Sequence, residues 1–178
     1  MKNWTPVILL PATALIMPVH AADFMSAEAA QRLLFASAST FEQQHISLSH
    51  EQKDQIKSMA GVTPRSDELA VWKALDGATP VGWFFIDNVI GKHEFITYAL
   101  AIDMAGKVLG VEILSYRETH GGQIRNPAWR LHFNGKVLAD KFKLNQDIPN
   151  ISGATLSCRN VTDGVKRLLA THKLLLSS

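Results

Sequence analysis

Cysteine is almost missing from this chain: Cys158 is the single one in 178 residues. No internal disulfide can form, so packing alone must hold the fold. The Cys-x-x-Cys-His signature of covalently attached haem is equally excluded. Charge of one sign is also lacking, with 18 Lys and Arg against 16 Asp and Glu and a formal net charge of +2. Nucleic acid needs a concentrated basic face, and the longest cationic clusters here are pairs such as Lys166-Arg167, so that class is set aside. Seven histidines (His20, His45, His50, His93, His120, His132 and His172) show neither an i, i+4 pair nor His-Glu-x-x-His. They read as surface or partly buried side chains and not as metal ligands. A long apolar run is missing too. Thr5 to Val19 is almost entirely apolar, but it is broken by Pro6, Pro11 and Pro18 and falls short of the roughly 20 residues a membrane span requires.

What remains is ample for one compact domain: 47% of residues are hydrophobic and 19% charged, a balance that supports a sizeable core. Lys2 and the short apolar run, followed by Val19-His20-Ala21, have the form of a signal peptide over residues 1–21, cleaved after Ala21. The expected location is therefore the periplasm; the alternative is an uncleaved anchor that leaves the protein facing the same compartment.

Residues 22–66 are expected to form a helical segment that packs against or extends the main domain. Met25 to Ala38 reads as one helix with Ser26 as N-cap. Ser49, with Gln52 three residues on, makes a capping box that opens a second helix to about Met59. From Glu68 the pattern turns to strands: Leu69 to Trp72, Val81 to Ile90, Phe95 to Ile102 and Val108 to Tyr116. Short turns join them, which argues for antiparallel neighbours. Asn126 and Pro127 begin a short helix, Leu138 to Pro149 is irregular, and a final helix runs from about Ser157 to Leu174. Its Val161, Val165, Leu168 and Leu169 share one apolar stripe facing the sheet. The fold class is α+β: a twisted antiparallel sheet packed with a C-terminal helix and preceded by two N-terminal helices.

Chemistry concentrates in Ile151-Ser152-Gly153-Ala154-Thr155-Leu156-Ser157. Here an irregular segment becomes a helix, whose first N–H groups lack internal partners and carry partial positive charge. Such a place suits a phosphate, and Gly153 and Ala154 let a bulky ligand approach the backbone. Serine and threonine also serve there as ordinary caps with no ligand, and on residue types alone capping is the commoner outcome. Cys158 follows directly; it reads as packing, with a thiol made acidic by the helix terminus as the alternative. Trp83 and Trp129 read as core, with a cover over a ring as the alternative.

The string Ser152 to Ser157 resembles the flavinylation motif of the FMN-binding domain family. That family includes the C subunit of sodium-pumping NADH:quinone oxidoreductase and the G subunit of the Rnf complex. A second stretch, Tyr116-Arg117-Glu118-Thr119-His120-Gly121-Gly122-Gln123-Ile124, resembles the family's polar loop, in the right order and after a similar strand. The likeness runs from about Val81 to about Leu169 and gives residues 67–178 as the FMN-binding domain. His120 stands where many members have proline, Gly122 where they have leucine, and Pro149 where they often have aspartate. Asp147 is the nearest acid and the expected substitute.

The resemblance implies FMN as cofactor, joined through a phosphodiester to Thr155 by a separate FAD:protein FMN transferase that uses FAD as donor. Ser152, Gly153, Ala154, Leu156 and Ser157 would hold the phosphate end, while Glu118, Thr119, Gly121 and Gly122 would lie along the ring, with a plain polar turn as the loop's alternative. Glu118 could instead brace the loop through a backbone group. The implied role is an exported electron-transfer module between a membrane redox protein and an extracytoplasmic acceptor, and not a stand-alone enzyme. A flavin-dependent reductase with its own substrate, with His120 as proton donor, and a non-catalytic binding module are the competing functions.

Overall fold

The computed structural model describes residues 22–177; the segment 1–21, read as a signal peptide, lies outside them. Strand β1 (Ala22–Asp23) leads into helix α1 (Ala27–Leu34), strand β2 (Thr40–Ser47) and helix α2 (His50–Ala60). Four strands follow, β3 (Glu68–Asp76), β4 (Thr79–Ile90), β5 (Phe95–Asp103) and β6 (Val108–Tyr116). A short helix α3 (Pro127–Arg130) stands between two single turns of 3₁₀ helix, and α4 (Thr155–Leu175) ends the fold. The strands make one six-stranded sheet in the order β1-β6-β5-β4-β3-β2, antiparallel throughout. The expected α+β class and antiparallel meander are what the chain adopts.

Local chemistry accounts for the helix starts. Ser26 accepts a hydrogen bond from the Ala29 N–H at 3.2 Å, and Ser49 and Gln52 close the capping box from both sides. Gly61 then ends α2 in the left-handed region, its N–H bonding the Lys57 carbonyl. Helix α1 stops earlier than expected, at Leu34, because Phe35 turns inward and is buried.

Two strands were not expected, the two-residue β1 and the longer β2. The stretch 22–66 contains β2 between its two helices, and β2 pairs with β3 along its whole length, from Thr40 opposite Leu75 to Ser47 opposite Glu68. Its two bulky residues explain why the alternation is hard to see. Phe41 packs with the core on one face of the sheet and Ile46 with the core on the other, while the residues between are polar, as an edge strand tolerates. Residues 22–66 and the strands beyond them therefore share one sheet.

Both faces of that sheet are covered. Helix α4 lays Val161, Val165, Leu168 and Leu169 against Val71, Phe85, Leu100 and Val111 on one face. On the other, α1 brings Ala30, and the residue after it, Phe35, against Phe84, Ala99, Ala101 and Leu114. Helix α2 lies on the α4 side, where it buries Ile56 against Ala170 of α4. Helix and sheet approach closely at Gly164, where a Cβ would lie 2.4 Å from the Tyr98 hydroxyl oxygen. That hydroxyl donates to Asp87 at 2.6 Å, and Arg167 of α4 forms an ion pair with the same carboxylate. Asn160 donates to the Ile90 carbonyl at 2.5 Å, which fixes the first turns of α4 beside the β4–β5 hairpin.

Candidate functional site

Helix α4 begins two residues earlier than the sequence suggests. Ala154 is its N-cap and makes no side-chain capping bond. Thr155 and Ser157 thus lie inside the first turn and cap nothing, which removes ordinary capping as the explanation of the two hydroxyls. The leading N–H groups of α4 are left without a side-chain acceptor, at the positive end of a 21-residue helix dipole. Gly153, at φ 80°, turns the chain into the helix beside open space, and Ser152 is exposed in the same turn.

The polar loop after β6 packs directly on this helix start. Tyr116, buried at the end of β6, donates its hydroxyl hydrogen to the His120 carbonyl and lies 3.4 Å from Ser157 Oγ. Burial raises the Tyr116 phenol above its ordinary range, although the bond to Ser157 opposes the rise. Gly121 sits at φ 86°, where an added Cβ would meet the Ala154 Cβ at 2.6 Å and the Tyr116 hydroxyl at 2.7 Å. Only glycine lets loop and helix touch there. Gly122 opens the 3₁₀ turn Gly122–Arg125, and its carbonyl accepts from Arg125 Nε at 3.1 Å.

Between loop and helix lies a cleft of about 440 Å³, lined by Glu118, Thr119 and His120 on one side and Gly153 to Ser157 on the other. The two separated motifs meet across this one opening. Of the residues expected to hold the cofactor, Gly121, Gly122 and Ser152 do not line the cleft. A hollow of similar size, about 430 Å³, lies between Met25, Asn88, Thr97 and Arg117, but Arg117 is its one residue from the two motif strings.

Two lining residues escaped the sequence reading: Lys92 and His93, from the turn between β4 and β5. No motif marks them. The register that sets Ile90 opposite Phe95 swings this turn over the loop, and Glu118 holds it there. The Glu118 carboxylate accepts from the N–H groups of His93 and Glu94. Burial works against its charge, but the backbone N–H groups of Glu94, His93 and Lys92 hold the carboxyl below the usual carboxylate range. Bracing is therefore what Glu118 does, and one of its oxygens is committed to the hairpin.

Trp83, Trp129 and Cys158 hold the core and packing places expected of them, and Asp147 is engaged elsewhere. Trp83 and Trp129 are buried in the core; Trp129 packs edge-on against Phe133 with ring centres 5.1 Å apart, and its Nε1–H donates to the Pro149 carbonyl at 2.8 Å. Cys158 is fully buried, and burial pushes its thiol up and not down, so it serves as packing. Asp147 bonds Lys136 and the N–H groups of Phe142 and Lys143 with its two oxygens. Despite partial burial, those bonds bring its carboxyl to about 2. Asp147 organises the segment after α3 and has no oxygen to spare for Thr155. Among the described residues no cluster of metal-binding side chains occurs.

An uncapped helix start with partial positive charge, facing a polar loop across one cleft, is an arrangement that suits the phosphate of a cofactor. Residues 91–170 match the FMN-binding domain family, and FMN is the cofactor that this match indicates. The matched span opens at Gly91, at the hairpin turn, and runs through both motifs into α4. Two curated relatives are each the G subunit of an ion-translocating oxidoreductase complex. The one from Shewanella amazonensis is 35% identical over 90 residues, covering 44% of this chain and 42% of the relative. The one from Stutzerimonas stutzeri is 30% identical over 93 residues, covering 46% and 41%. The alignments thus span less than half the length of either relative. Among solved structures, NqrC of Shewanella oneidensis superposes with a TM-score of 0.50 at 18% identity, over 82% of this chain and 71% of that one. The C subunit of the Na⁺-translocating NADH-quinone reductase of Parabacteroides distasonis gives 0.56 at 16% identity, over 86% and 85%. At such identities the likeness is one of fold.

Proposed function

We propose that the protein carries FMN covalently through a phosphodiester to Thr155 and passes electrons between a membrane redox partner and an extracytoplasmic acceptor. The observation that carries this reading is the meeting of the two motifs in one cleft, with Thr155 in the uncapped first turn of α4. The N–H groups of that turn would bind the phosphate oxygens. Glu118, Thr119 and His120 of the loop would face the ring, with Thr119 as hydrogen-bonding group and Glu118 holding the wall in place. Lys92 and His93 would add basic side chains at the rim. The flavin supplies the electron chemistry, while the protein sets orientation, water access and potential. The names of the two curated relatives support a place beside a membrane redox complex. Export rests on Lys2, the apolar run Thr5 to Val19 and the Val19-His20-Ala21 site, and maturation would need the exported FAD:protein FMN transferase.

Intact mass after co-expression with that transferase should rise by one FMN moiety, and Thr155→Ala should abolish both the increment and in-gel flavin fluorescence. An unmodified wild-type mass in that host would overturn the covalent reading. Steady turnover of a small substrate by the loaded protein would replace the carrier role with that of a reductase.

A further inference from the structure

We propose that Asn150 is a positioning residue for the attachment of FMN to Thr155, an inference that rests on the phosphodiester reading above. Its amide nitrogen lies 3.2 Å from Thr155 Oγ1, and its Oδ1 is buried without any hydrogen-bond partner. Buried polar atoms are seldom left so, and the arrangement determines which way the amide faces. Turning it over would place the NH₂ group in the same closed spot and leave two donor hydrogens unpaired in place of one acceptor. The nitrogen therefore faces the hydroxyl. Asn150 is held from behind, because the preceding Pro149 carbonyl is bonded by the buried Trp129 indole at 2.8 Å.

A donor aimed at Oγ1 occupies one lone pair and turns the hydroxyl hydrogen away from Asn150. Thr155 lines both the cleft and a smaller hollow of about 350 Å³ that Asn150 also lines, so the hydrogen and the remaining lone pair are left free to turn toward the cleft. The transfer joins Oγ1 to the phosphorus on the riboflavin side of the FAD pyrophosphate and breaks the bridging P–O bond. AMP leaves with the bridging oxygen, and the hydroxyl proton goes to water. An ester oxygen keeps no hydrogen and can only accept, so the Asn150 bond fits the product as well as the nucleophile. The aspartate that many relatives carry at the position of Pro149 is thus not required for orienting the hydroxyl in this chain.

The test is the initial rate of FMN attachment to the full chain by purified transferase and FAD, read by intact mass. Asn150→Ala and the isosteric Asn150→Asp, which offers no donor when ionised, should each lower the maximal rate about five- to tenfold, the scale of one lost hydrogen bond. The KM for the acceptor protein should stay unchanged, which a merely loosened fold would not give. Asn150→Asp labelled at the wild-type rate or faster would overturn the donor role, and so would a loss confined to KM. Wild-type protein that gains no FMN refutes the Thr155 reading itself; labelled wild type with equally fast variants refutes only the role of Asn150.

Discussion

Single residues set the geometry of the cleft and of the segment after α3, and three of them yield predictions. Gly121 is the contact point between loop and helix, where any Cβ would lie within 2.7 Å of Ala154 and Tyr116. Gly121→Ala should destabilise the fold by about 1–3 kcal/mol, as overpacking and positive φ both demand, and thermal denaturation should show it together with reduced FMN loading. Glu118→Gln keeps the shape but weakens acceptance from His93 and Glu94; hydrogen exchange of those two amides should quicken, with the global melting temperature little changed. Asp147 has its folded pKa depressed to about 2. A depressed carboxyl contributes stability above its unfolded value of about 3.9, and that stability fades as pH falls toward the folded value. The wild type should therefore lose stability between about pH 4 and pH 2, where Asp147→Asn should show a flatter profile in acid titration of its near-ultraviolet signal. At this scale most residues lining the cleft were singled out in the sequence, because Thr155 and Glu118 sit in recognisable strings. Lys92 and His93 were invisible, since their place in the wall comes from hairpin register.

At the scale of elements, α4 is what joins core and site. Its apolar stripe was legible from spacing alone, whereas its true start was not. Ser157 resembles a cap in the sequence, but the turn through Gly153 lets the helix begin at Thr155 with Ala154 as an inert N-cap. The helix is held close to the sheet at Gly164, over Tyr98. Gly164→Ala should cost about 1–3 kcal/mol through overpacking. Adding Tyr98→Phe, which removes the obstructing hydroxyl, should recover part of that loss in a double-mutant cycle. Strand β2 escaped notice for a related reason: Phe41 and Ile46 serve opposite faces, so no single alternation runs through it.

For the whole molecule, the decisive feature is a sheet covered on both faces. The N-terminal stretch supplies β2 beside β3, α1 over one face and α2 against α4. A chain starting at Asp67 would expose the β3 edge and the apolar face of Phe84, Ala99 and Leu114. Unpaired edges and bare apolar faces promote association, so this shortened chain should elute as aggregate and melt without a cooperative transition. Soluble, cooperatively folding material would show that the strands from β3 onward stand alone.

Amino-acid order by itself determined the α+β class, the antiparallel strands, the capped helix starts and the two strings that resemble the family's motifs, because each rests on residues near one another along the chain. Only the tertiary structure decided that the two strings share a cleft, that Lys92 and His93 join it, that Glu118 braces a hairpin and that Asn150 faces Thr155. Those relations depend on strand register and on the seating of α4, and both are set by contacts between residues far apart in sequence.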